Sequence, residues 1–538
     1  MKHRVKFVCF LPLEIQNSQE ASDRTEHIVE ICEKEAKMSE EKNVVNQQGE
    51  SQELKRGIKG WQVAFIGLGG VIGSCYFLGL GLCIGDMGPA VFIAFAVVGV
   101  IVYGLMISYA ELLVNLPRKG SFVAYTSEFI GPTVSTGFGW AFWFNWVCYC
   151  PSEAIAVATV LQSLTGAESP TAYVAFAVGA LLALTIINLC AVDIFAKIES
   201  GLAITKVCVI ILFIVLAFGI WVGLWGSEGF LGATVNFGDA TKSFGDQLFP
   251  NGAGIVLTSM VVVLVTFQGT EIVGLTAAEA ENPDQSVPKA CKSVTYRIVG
   301  LYMVPILLLI LIFPTAMGTD ATPVFADALK LYNLNGFALI MSAIVLIAAF
   351  SCANTGFYGT VRAMYGLSIE GLAPKFLSKV NKSGNPKNAV LFTLAFMWVV
   401  LIVGLVSQLT GFLESLYASL LSMSGFTGTL AWVGIIMSQI IFRRRLKKRG
   451  YDPETCLKAK VSKGQAWIPW FAMIAQLICL VMLAFGEGQL PIFILACAAI
   501  FIPMIVRQIT VKTGHSRDVN ALNTGEKTFD EAYPDLTK

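Results

Sequence analysis

Charged side chains are scarce in this sequence. Asp, Glu, Lys and Arg together make up 14% of its 538 residues, and the net charge is +1. Because soluble globular proteins carry about 25% charged residues, this composition excludes an ordinary water-soluble fold. The balanced signs also leave no basic field for nucleic acid, so we expect no nucleic-acid partner.

Histidines and paired cysteines are scarce as well. The sequence has three histidines, and none of its 13 cysteines belongs to a CxxC pair. Common metal sites need such ligands in clusters, so we expect neither a metal nor another cofactor. No nucleophile stands beside a convincing base, and we therefore predict that the protein is not an enzyme. Most cysteines lie in apolar runs, where a reduced thiol packs as a small apolar side chain.

Long apolar runs are what the sequence has in excess: 55% of its residues are hydrophobic, and the mean hydropathy is +0.67. A helix of ~20 residues crosses the ~30 Å hydrocarbon layer of a membrane. None of the runs alternates with the period of two that a barrel strand needs. The sequence therefore predicts an all-α membrane protein with about 12 transmembrane helices, near 61–84, 89–115, 136–164, 171–190, 198–225, 252–278, 294–317, 335–366, 389–407, 412–442, 467–486 and 489–510.

Two polar tails flank the predicted transmembrane domain, which covers residues 57–510. Residues 1–56 are rich in Glu, Lys, Gln and Ser and too poor in large apolar side chains to build a core, which predicts a disordered tail. Met38 is an alternative start of the chain. A signal peptide is not expected, because the short apolar stretch near the N-terminus lacks a small-residue cleavage site. A second polar tail is expected at 511–538.

Lys and Arg are distributed unequally between the two sets of loops. One set carries 20 of them and the other carries two, Lys242 and Lys330. Because Lys and Arg accumulate on the cytoplasmic side, we predict a multi-pass protein of the plasma (inner) membrane with both termini in the cytoplasm. The run Arg443–Arg449 is interpreted as a topology anchor in contact with membrane lipids, and a specific anionic-lipid site is the alternative.

Glycines interrupt the first span at Gly67, Gly69, Gly70 and Gly73, the last of which is followed by Ser74. Transporters bind their substrates at mid-membrane, where helices are broken and backbone groups are free. At ~1.5 Å per residue, Gly73 lies ~20 Å into the span, near the midplane. Close packing through small residues is the alternative explanation.

The sixth span is interrupted by a polar stretch, Phe267, Gln268, Gly269, Thr270 and Glu271. We predict that this stretch forms a second break and contributes to a substrate site together with the first. Each break lies in the first helix of a five-helix set.

This arrangement predicts an inverted 5+5 repeat. The first repeat covers about 61–225 and the second about 252–442, and two peripheral helices follow at about 467–510.

Four charged residues lie inside spans, where charge is costly and often functional. Lys206 is interpreted as a fixed cation between helices or as a group that gains and loses a proton, with snorkelling as the alternative. Glu271 is a candidate for binding a substrate ammonium or a proton, or for a structural hydrogen bond. Glu153 is a candidate for a substrate amine or for a helix pairing. Glu111, near the inner end of the second span, suggests an intracellular gate or interface contact.

Two asparagines are further candidates for a gate or for supporting the site. Asn145 lies among the rings of FWFNW in the third span, most of which we interpret as interfacial anchors. Asn354 lies within the eighth span.

Five segments in order resemble the amino acid permeases of the amino acid–polyamine–organocation superfamily, in the branch that includes bacterial lysine, aromatic amino acid and GABA permeases. The segments are LKRGIKGWQVAFIGLGGVIGS (54–74), FWFNW (142–146), FQGTEIVGLTAAEAENPDQSVPKA (267–290), CANTGFYGTVRAMYGLSIEGLAPK (352–375) and SGFTGTLAWVGIIMSQ (424–439). The resemblance runs from about Leu54 to Arg507.

This resemblance implies a LeuT-type fold, with two peripheral helices beside the 5+5 core. Backbone groups of the first break, Ile72–Cys75, would hold the substrate carboxylate, and carbonyls of the sixth-span break would hold its amino group. Phe267 resembles the aromatic residue that closes over the substrate. Lys206 resembles a fifth-span lysine that takes the place of a sodium ion in proton-coupled relatives, which favours proton coupling or coupling-independent exchange over sodium symport. Cys75 stands where the family usually has glycine, and Tyr76 beside it is also unusual.

We therefore predict a secondary active transporter that takes up a small-molecule amino acid with protons by alternating access. An amino acid/amine exchanger is the alternative, and a nutrient sensor that binds without transport is a further one. A single sequence does not name the amino acid.

Overall fold

The computed structural model describes residues 69–538, apart from 191–194, 226–235, 238, 240, 277–282, 319–322, 382–384, 413–414, 518, 520–525 and 538. The predicted tail at 1–56, the alternative start at Met38 and the glycine at 67 lie outside the described residues. Residues 54–379 and 386–538 belong to one compact unit, and all helices named here are part of it.

The helices that build the fold are numbered in chain order: α1 (Leu80–Met87), α2 (Val91–Asn115), α3 (Ser121–Phe129), α4 (Pro132–Thr165), α5 (Pro170–Cys190), α6 (Phe195–Trp221), α7 (Ala253–Val265), α8 (Ile272–Thr276), α9 (Pro283–Ile312), α10 (Val324–Leu331), α11 (Asn335–Ile369), α12 (Lys387–Leu409), α13 (Leu416–Lys448), α14 (Trp467–Met482), α15 (Leu490–Lys512) and α16 (Phe529–Ala532). A π-helical turn, Cys75–Gly79, directly precedes α1.

The helices coincide with the predicted spans. Ten segments of the described residues are long and apolar enough to cross a membrane, and one of them, Cys75–Asn115, covers the end of the first predicted span and all of the second. The predicted seventh span coincides with a shorter apolar helix, Val299–Ile312. The described part of the chain contains no strand. These findings confirm the prediction of an all-α membrane protein, because lipid offers backbone groups no partner outside a helix.

Three long helices form the centre of the bundle. The helices α4 and α11 are 34 and 35 residues long and pack against each other, and α13 packs along α4. The most apolar window of α13 is 94% buried, whereas those of α5 and α15 are 17% buried. The exposed apolar side chains of the outer helices suit contact with lipid chains rather than water.

The core helices form two successive sets, each of which begins with an interrupted helix. The first set runs from the glycine-interrupted helix at 69–87 to α6, and the second runs from the interrupted pair α7 and α8 to α13. The last two spans lie at the edge of this core: α14 packs on α2 and α13, and α15 packs on α4 and α13. The two interrupted helices bring their breaks together inside the core.

One end of the bundle carries the run Arg443–Arg449, and we call it the basic face. Part of the predicted polar tail packs there. Phe529 in α16 is buried, with its ring centroid 5.7 Å from that of Phe129 and 5.7 Å from that of Phe442. Arg449 donates hydrogen bonds to the Asp530 carboxylate at 2.5 Å and to a backbone carbonyl at 2.6 Å. This part of the tail is therefore tied to α3 and α13.

A carboxylate cluster lies beside this tail segment. Arg118 forms an ion pair with Glu128, and the backbone N–H of Lys119 donates to Glu526 at 2.5 Å. Burial raises the pKa of Glu370, the residue that follows α11, to about 7. The charge of Arg118 opposes this increase, and the negative charges of Glu526 and Glu128 add to it.

Candidate functional site

The first break lies where the chain passes from the helical residues 69–71 into the π-helical turn Cys75–Gly79. Ile72 and Gly73 are not helical, and the N–H of Gly73 donates to the carbonyl of Val71 at 3.1 Å. The backbone groups on both sides of the break are therefore left without regular helical partners. Side chains from four neighbouring helices bind to these backbone groups.

The glycines at the break allow other helices to approach closely. A Cβ on Gly73 would lie 2.4 Å from Oε1 of Glu153 and 2.7 Å from Sγ of Cys352. A Cβ on Gly70 would lie 2.7 Å from Thr355, and one on Gly69 would lie 2.2 Å from a carboxylate oxygen. The glycines thus combine both explanations that the sequence left open, because they interrupt the helix and they permit close packing.

The second break separates α7 from α8. Gly269 has a φ of +103°, and a Cβ there would lie 2.5 Å from the carbonyl oxygen of Gly70. Only glycine fits a position that combines positive φ with such close contact. The backbones of the two breaks are therefore in direct contact.

Side chains of the second break form hydrogen bonds with the backbone of the break and with α13. Glu271 accepts hydrogen bonds from the N–H of Gly269 at 3.0 Å and from the indole of Trp432 at 3.0 Å. Gln268 donates to the carbonyls of Ser424 and Gly425 at 3.3 and 3.2 Å. Glu271 thus stabilises the broken end of α7 and fastens it to α13.

Lys206 on α6 is fully buried at the first break. Its ammonium group donates to the carbonyl of Gly69 at 2.6 Å and to that of Ile72 at 2.9 Å. It does not snorkel to an interface. Glu199 lies two helical turns earlier on α6, is buried, and accepts a hydrogen bond from Ser351 at 2.5 Å. Glu199 was not predicted, although a spacing of seven residues from Lys206 places both on one helix face.

Glu153 on α4 binds the other side of the same break. Both of its carboxylate oxygens lie 3.1 Å from the backbone N of Ser74, and its side chain is buried. The hydroxyl of Ser74 lies 3.1 Å from that of Tyr417 on α13. A cation thus binds the carbonyl side of the break, and an anion binds its amide side.

Tyr302 on α9 connects the two breaks. Its hydroxyl lies 3.1 Å from the carbonyl oxygen of Val71 and 2.9 Å from that of Thr266. The ring of Phe267 is buried beside it, with the centroids 4.8 Å apart. Tyr302 was not predicted, because a tyrosine in an apolar span carries no signal of its own in a single sequence.

The unusual pair Cys75 and Tyr76 contacts α7 and α9. The thiol of Cys75 lies 4.0 Å from the carbonyl of Val262 on α7. Tyr76 stacks on Tyr302 with 4.1 Å between the ring centroids.

The two asparagines have different surroundings. Asn145 accepts a hydrogen bond from Ser424. Its amide nitrogen is buried and has no hydrogen-bond partner among the described residues. It lies with Gln268 around Gly428, next to the second break. Asn354 instead accepts a hydrogen bond from Asn188 on α5 at 2.8 Å. The structure therefore places Asn145 beside the second break, whereas Asn354 contacts α5.

Glu111 lies apart from the breaks, at the basic face. It is fully buried and accepts hydrogen bonds from Arg443 at 2.8 Å and from Gln439 at 2.8 Å, both on α13. It also accepts one at 2.7 Å from the backbone N–H of Val461. Glu111 thus ties α2 to α13 and to the loop before α14.

Glu111→Ala is expected to destabilise the folded protein by about 3 kcal/mol, because hydrogen bonds to charged groups contribute about 1.5–3 kcal/mol. The variant loses a buried carboxylate that binds Arg443, Gln439 and Val461, while Arg443 keeps Glu454 at 3.8 Å. The measurement is thermal unfolding of the full chain in detergent, with Glu487→Ala as the control because Glu487 is exposed. Equal melting temperatures for the two variants would contradict the expectation.

A cavity of about 550 Å³ opens between the ends of α4, α5, α12 and α13. Its lining includes Glu168, Gln162, Gln408 and Tyr417. Because Tyr417 also contacts Ser74, one hydroxyl–hydroxyl contact separates this cavity from the first break.

The described residues contain no group of three or more His, Cys, Asp or Glu that would hold a metal ion. The site consists of two interrupted helices, a helix N-terminus whose amide binds a carboxylate, and buried charges. Helix N-termini bind anions, and helix C-termini attract cations. Two such breaks in contact inside a bundle of membrane-length helices define a multi-pass membrane transporter.

Comparison with known proteins identifies the family. A family model described as amino acid permease matches residues 62–513. The chain belongs to the amino acid permease family, whose members transport amino acids.

Curated relatives support this assignment. The lysine-specific permease LysP of Lactococcus lactis is 33% identical over 459 residues, which cover 84% of this chain and 87% of that protein. The amino-acid permease RocE of Bacillus subtilis is 32% identical, with 82% and 92% covered. The gamma-aminobutyric acid permease of Escherichia coli is 30% identical, with 83% and 92% covered.

A solved structure shows the same fold. The manganese transporter of Eremococcus coleocola superimposes with a TM-score of 0.52 over 88% of this chain and 99% of its own, at 14% identity. This likeness concerns the fold alone.

Proposed function

We propose that this permease is a secondary active transporter that takes up an amino acid by alternating access and couples the uptake to protons. The proposal rests mainly on one observation, the N–H of Ser74 that binds a carboxylate inside the membrane bundle. An amide at the start of a half-helix, outside the regular helical hydrogen bonds, is suited to the carboxylate of an amino acid. In this proposal the protein lies in the plasma (inner) membrane with the basic face in the cytoplasm.

The second break complements the first. The carbonyls at the end of α7 carry the partial negative charge of a helix C-terminus and suit the ammonium group of an amino acid. Asn145, whose buried amide nitrogen has no partner within the described part of the chain, offers an additional donor. Recognition of a zwitterion then needs few charged side chains.

Two contacts suit the role of gates. On the proposed outer side, Tyr417 and Ser74 separate the cavity from the first break. On the basic face, Glu111 and Arg443 hold α2 and α13 together. In alternating access, one of these contacts opens while the other stays closed.

Lys206 is the proposed coupling residue. As an ammonium group it holds the carbonyls of Gly69 and Ile72, and as a neutral amine it has fewer protons to donate. Loss of its proton would therefore weaken its hold on the first break. In this proposal, each proton that Lys206 gains or loses changes the conformation of the first break, and this conformation controls substrate binding.

Proteoliposomes with a pH gradient and no internal substrate test the proposal. We expect labelled amino acid to accumulate when the outside is acidic, in a panel of the twenty amino acids, GABA and polyamines. Lysine and GABA are the first probes, because two of the relatives are a lysine-specific permease and a gamma-aminobutyric acid permease. Uptake only into vesicles preloaded with amino acid or amine would indicate an exchanger instead. Binding without any uptake or counterflow would indicate a sensor.

A further inference from the structure

Glu153 occupies the amide that the proposed function assigns to the substrate. Its two carboxylate oxygens both lie 3.1 Å from the N of Ser74, and Gly73 leaves no side chain between them. Glu153 is 1% exposed, so its charge is not screened by water. A substrate carboxylate at the same amide would meet a like charge within hydrogen-bonding distance, which is strongly unfavourable.

We propose that Glu153 is a displaceable internal carboxylate, which the carboxylate of the substrate replaces at Ser74. This inference rests on the proposed function. After displacement, Glu153 accepts a hydrogen bond from the ammonium group of the same substrate. Glu153 thereby selects ligands that carry both a carboxylate and an adjacent ammonium group.

The surroundings of Glu153 support an exchange of partners. Its hydrogen-bond donors are the amide and hydroxyl of Ser74 and the hydroxyl of Tyr149, which lies on the same helix, α4. Only the bonds from Ser74 therefore have to be exchanged, whereas Glu271 is also bound by Trp432 on another helix. Lys206 stands across the same break and binds the carbonyl of Ile72, two residues before Ser74. A ligand that brings its own ammonium and carboxylate adds no net charge beside the buried Glu153 and Lys206. An amine alone adds a charge, but it leaves Glu153 at Ser74.

Three matched probes separate these roles: an amino acid, the acid that lacks its α-amino group, and the amine that lacks its carboxylate. For lysine they are lysine, ε-aminocaproate and cadaverine. If the full panel shows that leucine is bound instead, they are leucine, isocaproate and isoamylamine. Binding is measured by competition with the labelled amino acid on the purified full-length protein.

Glu153→Gln is expected to change the order of these affinities. A neutral amide accepts a weaker hydrogen bond from Ser74 than a carboxylate does, so the acid should bind about fivefold tighter than to the natural protein. The amine should bind about fivefold weaker, because its ammonium group loses a charged acceptor. A purely structural role of Glu153 would change all three affinities in the same direction.

Glu153→Asp serves as the second variant and keeps the test valid if Glu153→Gln does not fold. Its shorter side chain withdraws the carboxylate from Ser74 but retains the charge. We expect tighter binding of the acid and nearly unchanged binding of the amine.

Equal shifts in the affinities for the acid and the amine in either variant overturn the inference. So does a natural protein that prefers the amine to the amino acid, since Glu153 would then stay at Ser74. A natural protein that binds none of the panel contradicts the proposed function itself.

Discussion

Gly73→Val is expected to abolish amino acid binding and to lower uptake by at least about 100-fold. The added Cβ would lie 2.4 Å from Oε1 of Glu153 and 2.8 Å from Cβ of Cys352, so the first break would have to move away from α4 and α11. Because a substrate carboxylate must reach the backbone at Ser74, displacement of this backbone removes its binding position. A 1 Å misplacement costs about 100-fold in comparable pre-organised sites.

The matched control is Gly179→Val on α5. A Cβ at Gly179 meets nothing within 4 Å, so the same substitution adds bulk without a clash. Uptake of labelled amino acid and thermal unfolding are measured for both variants, which separates loss of binding from loss of folding. Normal affinity in Gly73→Val would place the substrate site elsewhere.

Lys206→Ala is expected to uncouple uptake from the pH gradient while exchange stays measurable. A gradient of one pH unit provides about 1.4 kcal/mol per proton and sustains an accumulation of about tenfold. Without the lysine ammonium group, the variant should only equalise the concentrations inside and outside. Lys206→Met, which retains most of the side-chain volume but carries no proton, should behave in the same way.

Lys242→Ala is the control for the lysine variants, because Lys242 is an exposed residue outside the described spans. It should accumulate substrate as the natural protein does. Unchanged pH dependence in Lys206→Ala would reject the proton role. Loss of both uptake and exchange in a folded Lys206→Ala would assign Lys206 a purely structural role, since its two bonds hold Gly69 and Ile72.

Most of the architecture was predictable from local composition. Each predicted span overlaps a helix, because a run of about 20 apolar residues in lipid satisfies its backbone only as a helix. The breaks were predictable for a similar reason. Glycines at 69, 70 and 73 and the polar stretch from Phe267 to Glu271 are contiguous features, so no long-range information was needed to find them.

The partners of these breaks were less predictable. Glu111 and Glu153 are both buried glutamates within spans, yet one binds Arg443 at the basic face and the other binds Ser74 at the first break. Their depth was readable from the distance to the helix ends. The direction of each side chain depends on the rotation of its helix, which packing against other helices decides.

The sequence by itself determined that the chain is a helical membrane protein with two interrupted apolar segments and a lysine inside its fifth span, since these properties follow from runs of neighbouring residues. The tertiary structure alone decided that Glu153 and Lys206 bind opposite sides of one break, that Tyr302 joins the two breaks, and that Glu199 lies beside them. These contacts join residues far apart in the chain, and their geometry exists only once the helices have packed.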